Sequence, residues 1–272
     1  DVRACSIDDA ATTEIDDALS VPGLGTPAVT LGPHIAAPGL AAQPGDAVDQ
    51  LGRARLSTVY MPGYKVTMLP DALVQTYTLQ AGRDCPALSL YVTLDEATLD
   101  IRSSETRIER VPIAHNLRHD QLDGIVTEAW LLGTTTGNEN TLQPSSDLRE
   151  QLSFLYRLAK DLKAKREIVR GKPETFNRPD YNFRLLGNDG AEPDGSETVQ
   201  ISTRQRGAPL DLMVAEAMIL ANSTWGNWLA ELGVPGIYRS QASLAPGIKV
   251  RMGTKALPHA GIGVKSYAWS SS

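Results

Sequence analysis

The chain has 272 residues, of which 42% are hydrophobic and 21% charged, and its formal net charge is −6 at pH 7. This composition predicts a globular protein with one large or two small cores and argues against a largely disordered chain. The negative net charge argues against a simple basic nucleic-acid binder. Two cysteines are too few for a disulfide framework. No apolar run approaches the roughly 18 residues of a membrane span, and no signal-peptide pattern opens the chain, which predicts a cytoplasmic protein.

Near the start of the chain, five carboxylates stand within ten residues: Asp8, Asp9, Glu14, Asp16 and Asp17. Like charges this close raise one another's pKa unless a cation neutralises them. Oxygen-only ligands suit a hard ion such as Mg²⁺ or Mn²⁺. A solvated acidic turn is the alternative, since charge runs usually belong to surface or disorder. The threonine-rich context, bracketed by apolar residues, favours a metal site.

The first half of the chain is predicted to consist mainly of strands. Turn signals at residues 22–27 separate two strand-like runs, which predicts a hairpin directly after the acidic run. Pro62 and Pro70 forbid a continuous helix, so residues 60–70 are predicted to be extended or turn-like. Residues 88–99 alternate as a strand, and a second strand is predicted to begin at Leu99.

A first long helix is predicted after the polar stretch at residues 134–144. Asp147 is the predicted N-cap, Leu148, Leu152 and Leu155 belong to an apolar stripe, and Gly171 ends the helix. Between Arg157 and Arg184 the sequence has nine basic residues against four acids. Such a strip suits an RNA phosphate backbone, although a solvated helix face would look the same.

A second long helix is predicted to begin at Pro209 and to end at residues 233–235. From Leu212 to Ala221 every residue is apolar except Glu216. A lone carboxylate in such a run is expensive to bury unless it meets a cation or a hydrogen-bond donor. Glu216 is therefore either a solvent-facing residue or a functional one.

Several of these motifs, taken in order, carry a resemblance to a known family. The run Ile7-Asp8, followed after five residues by Glu14-Ile15-Asp16-Asp17-Ala18-Leu19, resembles the opening signature of the catalytic (RNB) domain of the ribonuclease II/ribonuclease R family. Glu14 stands where that family usually has Asp. His34-Ile35-Ala36, residues 60–70 and the helix around Glu216 resemble later landmarks, with Ala37 and Ala215 replacing expected acids. The resemblance implies an α+β fold, a mostly antiparallel sheet flanked by helices around an RNA channel.

The family consists of hydrolytic, Mg²⁺-dependent exoribonucleases that act on single-stranded RNA from 3′ to 5′. The resemblance implies the same activity here, with Mg²⁺ or Mn²⁺ as cofactor and release of 5′-nucleoside monophosphates. The residues that it assigns are four metal ligands (Asp8, Glu14, Asp16 and Asp17), two catalytic residues (Asp16 and Glu216) and two RNA-stacking aromatics (Tyr60 and Phe176). Single-stranded RNA is the implied partner; no membrane association is expected, and no protein partner can be inferred.

Residues 258–272 resemble the strand that leads into a Pro-Ile/Leu-Arg-Arg-Tyr-like motif of the family. The catalytic domain is therefore expected over residues 1–272 and to be incomplete at its C-terminal end. Two other functions remain open. A catalytically impaired RNA-binding relative is favoured by Glu14, Ala37 and Ala215. A metal-dependent phosphoesterase with a small-molecule substrate is favoured by the acidic net charge.

Overall fold

The computed structural model describes residues 3–10, 12–134, 144–171, 173, 180–187, 193–204, 207–240 and 253–256. The strands are β1 (Ala4–Asp8), β2 (Asp17–Ser20), β3 (Ala28–Ala36), β4 (Val59–Met61), β5 (Tyr64–Val66), β6 (Asp84–Asp95), β7 (Ile101–Arg118), β8 (Asp180–Leu186), β9 (Thr198–Arg204), β10 (Ile237–Ser240) and β11 (Gly253–Ala256). The helices are α1 (Ala47–Arg55), α2 (Asp71–Tyr77), α3 (His119–Leu122), α4 (Glu128–Leu131), α5 (Ser146–Arg170) and α6 (Pro209–Glu231), with a short 3-10 helix at Pro38–Ala41. Contacts divide the chain into two units, residues 1–214 and 215–272.

Five strands of the first unit close into a barrel in the order β1-β2-β3-β6-β7. Four of the five neighbouring pairs are antiparallel, and β1 runs parallel to β7, with Asp8 beside Arg118. The hairpin predicted after the acidic run is the β2–β3 pair, and the strands predicted on either side of Leu99 are β6 and β7. The predicted α+β, mostly antiparallel fold is confirmed, whereas the RNA channel stays a prediction.

A buried apolar cluster ties the acidic run to the barrel. It joins residues of β1, β2, β6 and β7 to Ile15 and Leu79, which lie outside the barrel strands. Ile15 is 4% exposed, and full burial of a side chain of this size contributes roughly 1.5–3 kcal/mol. The segment that carries the acids is therefore fixed by a hydrophobic side chain of its own.

His34 lies fully buried in the barrel strand β3. Its Nε2 is 2.8 Å from Ser20 Oγ, and its Nδ1 is 2.8 Å from Ser89 Oγ. Tyr91 contacts the imidazole edge-on, with ring centroids 5.7 Å apart. Burial lowers the pKa of His34 to about 4, so the imidazole is neutral at pH 7. Both ring nitrogens are satisfied by hydroxyls, which gives this histidine a structural role.

Helix α5 begins close to where the sequence predicts it, but its cap is a different residue. The Ser145 hydroxyl accepts a hydrogen bond from the Leu148 backbone N–H at 3.3 Å. The prediction that Asp147 caps the helix was wrong, because Asp147 already lies in the first turn. Gly171 ends the helix with a positive φ of 75°, as predicted, since glycine adopts this left-handed conformation without a Cβ penalty.

The second unit contains most of α6 and the antiparallel β10–β11 pair. Helix α6 starts at Pro209 and ends at Glu231, close to the predicted bounds. The Tyr238 hydroxyl donates to the Gly226 carbonyl at 2.9 Å, which fastens β10 to the helix. None of the helices in the described ranges is long and apolar enough to cross a membrane. The strand predicted at residues 258–272 lies outside the described residues.

Candidate active site

Antiparallel pairing brings acids from both ends of the acidic run together. Strand β1 ends at Asp8 and strand β2 begins at Asp17, and the two strands run antiparallel with Cys5 opposite Leu19. Asp8 and Asp17 therefore lie at the same end of the barrel. Asp16 directly precedes β2, and its carbonyl accepts a hydrogen bond from the Ala36 backbone N–H at 2.8 Å. Three aspartates thus share one rim of the barrel.

The segment between the two strands is held by backbone contacts on either side of Ile15. The Ile15 N–H donates to Thr78 Oγ1 at 2.8 Å, and the Leu79 N–H donates to the Ile15 carbonyl at 3.0 Å. Ile15 is buried in the core, whereas the neighbouring Asp16 is exposed and Glu14 is half-buried. An apolar residue between the acids thus anchors the segment that carries them.

The electrostatics of this rim show that the aspartates are crowded. Burial raises the pKa of Asp17 to about 7, and the charges of Asp8 and Asp16 add to the rise. Partial desolvation, followed by the charges of Glu14 and Asp8, raises the pKa of Asp16, and Lys65 opposes this rise. Burial also raises the pKa of Asp8. Carboxylates in this state would be stabilised in their charged form by a cation placed among them.

Asp8 is oriented by side chains from β1 and β7. Ser6 Oγ donates to Asp8 Oδ2 at 2.6 Å, and Asn116 Nδ2 donates to Ser6 Oγ at 2.9 Å. Arg118 Nη1 lies 3.9 Å from Asp8 Oδ2. Outer partners of this kind fix the direction of a potential ligand. Sequence reasoning missed both Ser6 and Arg118: Arg118 is placed beside Asp8 only by the parallel register of β1 and β7, and Ser6 lies on the same face of β1 two residues before Asp8.

Glu14 contacts the β4–β5 hairpin through both of its carboxylate oxygens. Tyr60 and Lys65 are paired across the β4–β5 hairpin. Lys65 Nζ lies 3.6 Å from Glu14 Oε1, and the Tyr60 hydroxyl donates to Glu14 Oε2 at 3.2 Å. The residue Tyr60 is 70% exposed, so its ring is open to solvent beside the acids. Lys65 is a second residue that the sequence motifs did not flag.

The acids of this rim are not equally suited to bind a divalent cation. Within the described residues, no group of three or more carboxylate, imidazole or thiol side chains is arranged to hold a metal ion as it stands. The crowded oxygen donors of Asp8, Asp16 and Asp17 nevertheless have the chemistry that Mg²⁺ or Mn²⁺ requires. Both oxygens of Glu14 contact the β4–β5 hairpin, whereas the described contacts of Asp8 fall on Oδ2. The three aspartates therefore fit such an ion better than Glu14, whose role as a ligand stays a prediction.

The two remaining residues assigned from the sequence, Glu216 and Phe176, do not belong to the described part of the first unit. Glu216 lies in the second unit and is only 2% exposed, and it takes part in a polar interaction. Its expected catalytic role stays a prediction. Phe176 lies outside the described residues, so its expected role as an RNA-stacking aromatic also stays a prediction.

The basic strip on α5 is extensively ion-paired. Lys160 lies 2.7 Å from Glu128, Lys165 lies 2.9 Å from Asp161, and Lys163 lies 3.9 Å from Glu167. These pairs match the solvated, ion-paired face that was the alternative reading of the strip. Surface ion pairs are worth little individually, so a phosphate could compete for these lysines.

Comparison with known proteins gives the same family as the motifs. Residues 1–248 match the RNB domain family. Exoribonuclease 2 of Serratia proteamaculans is 31% identical over 224 residues, which cover 80% of this chain and 31% of that protein. The chain thus spans about a third of the length of the curated relatives that it matches.

Solved structures agree in fold. RNase R of Mycoplasma genitalium in complex with double-stranded RNA superposes with a TM-score of 0.71 at 17% identity, over 88% of this chain and 39% of that one. Yeast Ssd1, a pseudonuclease, superposes with a TM-score of 0.61 at 21% identity, over 89% of this chain and 27% of that one. At these identities the likeness concerns the fold alone. With the sequence match over residues 1–248, the chain belongs to the RNB domain family, the family of ribonuclease II and ribonuclease R.

Proposed function

We propose that the chain is the catalytic part of a hydrolytic exoribonuclease that removes nucleotides from the 3′ end of single-stranded RNA. The observation that carries the proposal is the gathering of Asp8, Asp16 and Asp17 at one rim of the barrel. Burial and mutual repulsion there raise the pKa of Asp17 to about 7. Family membership, and the name Exoribonuclease 2 of several relatives, support RNA as the substrate.

The proposed cofactor is Mg²⁺, with Mn²⁺ as a substitute, and RNB exoribonucleases are generally metal-dependent. A divalent cation, when bound, lowers the pKa of a water molecule and neutralises charge on the scissile phosphate. We assign Asp8 and Asp17 to holding the ion, with Ser6 and Arg118 orienting Asp8. We assign Asp16 both to the ion, as a third ligand, and to the attacking water, which it would orient and whose proton it would accept.

The proposed hydrolysis joins the water oxygen to phosphorus and breaks the bond between phosphorus and the 3′-oxygen of the preceding nucleotide. The terminal residue therefore leaves as a 5′-nucleoside monophosphate. We assign the exposed ring of Tyr60 to stacking on a base, an interaction worth roughly 1–3 kcal/mol that tolerates any sequence. Glu216 is assigned to the hydroxyls of the terminal ribose, and Phe176 to a second base.

A second candidate is an RNA-binding relative that does not cleave. Two observations favour it: the likeness in fold to the pseudonuclease Ssd1, and the pairing of Glu14 with Lys65. This candidate keeps the stacking surface around Tyr60 but assigns the three aspartates no chemistry. It predicts RNA binding that does not depend on a divalent ion.

The substitution Asp16→Asn separates the two candidates. For the exoribonuclease, we expect a loss of roughly 10³-fold or more in single-turnover rate, because a charge next to the reacting phosphate is removed. The affinity for RNA should stay within a few-fold of the wild-type value, since RNA binding is assigned to stacking and basic residues. Asp9→Asn, which changes an exposed acid in the same segment, serves as the matched control. If Asp16→Asn keeps a tenth of the wild-type rate or more, the catalytic assignment of Asp16 is wrong.

A further inference from the structure

The β4–β5 hairpin places a cation against the acidic rim. Antiparallel pairing puts Tyr60 and Lys65 on the same face, and both reach Glu14. The Lys65 ammonium also donates to Thr13 Oγ1 at 2.5 Å. The Glu14 side chain is only 12% exposed and that of Lys65 29%. This pair is therefore half sheltered from water, where an ion pair is screened less than at an open surface.

The hairpin is fastened at its base, which holds the backbone of Lys65 beside the acids. The Met68 backbone N–H donates to Thr58 Oγ1 at 3.1 Å. Arg55 Nη1 donates to the Thr67 carbonyl at 2.6 Å, which ties the chain after β5 to helix α1. The ammonium of Lys65 is directed to the acids by its own contacts with Glu14 and Thr13.

The charges at the rim divide into two groups. Arg118 stands 3.9 Å from Asp8, and Lys65 stands 3.6 Å from Glu14. Each Glu14 oxygen has a partner of the protein's own, the ammonium of Lys65 on one and the hydroxyl of Tyr60 on the other. A divalent ion that approached Glu14 would be repelled by the ammonium. The two contacts of Asp8 described above, with Ser6 Oγ and Arg118 Nη1, both fall on Oδ2, so Asp8 is engaged through one oxygen where Glu14 is engaged through both.

We propose that Lys65 is a built-in counter-ion of Glu14 and restricts the acidic rim to one tightly bound divalent cation, held by Asp8, Asp16 and Asp17. The inference rests on the proposed function, since it concerns the same metal site. Lys65 acts as a positioning residue: it keeps Glu14 away from the ion and leaves the aspartates to hold it. Glutamate at position 14, which is longer than the aspartate usual in the family, suits this pairing because its carboxylate reaches the hairpin.

The test counts Mn²⁺ ions bound to the purified, metal-free protein without RNA, from the electron paramagnetic resonance signal of free Mn²⁺. We expect the wild type to bind one ion tightly. Lys65→Met, which removes the charge but keeps the chain length, should bind a second ion at least ten-fold more tightly than the wild type does. Lys65→Arg retains the charge and should behave like the wild type. Glu14→Gln combined with Lys65→Met should return the count to one.

The matched control is Lys160→Met, which removes one cation from a surface pair with Glu128 and should leave the count unchanged. A purely structural role of Lys65 would change thermal stability but not the number of ions. Equal affinity for the second ion in the wild type and Lys65→Met would overturn the inference and leave the proposed function standing. If Asp17→Asn binds Mn²⁺ as well as the wild type does, the proposed metal site itself is wrong, and the inference falls with it.

Discussion

Asp17 and His34 lie on the neighbouring strands β2 and β3, and burial shifts both of their pKa values. The pKa of Asp17 is raised to about 7, and that of His34 is lowered to about 4. Between about pH 4 and pH 7, the two shifts make the free energy of unfolding change with pH in opposite directions. Substitution of either residue should therefore expose the effect of the other.

For His34, the unfolded chain binds a proton near the ordinary pKa of 6.5, whereas the folded chain does so only near 4. Its contribution to stability is therefore present above pH 6.5 and is lost as the pH falls through about 4, by roughly 3 kcal/mol. In an Asp17→Asn background, which removes the largest opposing slope among the aspartates, we expect urea unfolding to show this loss. If stability is flat between pH 7 and pH 4 in that background, the imidazole is not held neutral in the barrel.

For Asp17, the folded chain binds the proton more tightly than the unfolded chain, whose pKa is 3.8. Its contribution is complete below pH 3.8 and is lost as the pH rises through about 7, by at most about 4 kcal/mol. Asp17→Asn should therefore stabilise the metal-free protein at pH 8 and have little effect at pH 3.5. Chemical denaturation in EDTA measures both values, and destabilisation at pH 8 would contradict the account.

At the residue scale, the acids could be recognised from the sequence because they lie close together in a short motif. Lys65 and Arg118 could not, since their partners are brought to them by a distant hairpin and by strand register. The motif likewise names Glu14 as a ligand without revealing that Lys65 pairs with it. Local patterns identify the acids but not the groups that orient or neutralise them.

At the element scale, Ile15 is the residue that fixes the acidic segment to the barrel. Ile15→Ala should lower the free energy of unfolding by about 2–4 kcal/mol, because it leaves a cavity in the core. It should also weaken Mn²⁺ binding at least five-fold, because Asp16 loses its fixed direction. Calorimetric titration and urea unfolding measure the two effects.

Ile113→Ala provides the matched control, because Ile113 is a buried isoleucine of the same core cluster that lies in β7 rather than among the acids. It should cost similar stability and leave Mn²⁺ affinity within two-fold. An equal loss of Mn²⁺ affinity in both variants would mean that general destabilisation, and not the anchoring of the segment, explains the effect.

The elements themselves were largely predictable, since helices α5 and α6 and the β2–β3 hairpin follow from periodicity and turn residues within short stretches. The Asp147 cap was misplaced because Ser145 and Asp147 are both good capping residues, and only the backbone shows which one precedes the first turn. Closure of the barrel could not be predicted, because it depends on the parallel pairing of β1 with β7 across most of the first unit.

At the scale of the whole molecule, a chain with net charge −6 is proposed to bind a polyanion. The structure lessens this difficulty in two ways. The acids are concentrated at one rim, where a divalent ion would neutralise them. RNA binding is proposed to come mainly from the stacking of bases on Tyr60, which needs no net positive charge. The basic strip on α5, whose lysines pair with nearby acids, is a secondary contributor at most.

The central claim is that this rim hydrolyses RNA from its 3′ end with a divalent ion. The most direct measurement follows a single-stranded RNA labelled at its 5′ end, incubated with the intact protein in EDTA, then with added Mg²⁺. We expect the length of the RNA to stay unchanged in EDTA. After Mg²⁺ is added, we expect a ladder that shortens stepwise while 5′-nucleoside monophosphates accumulate. RNA that is bound but never shortened in Mg²⁺, or that is cut internally, would contradict the claim.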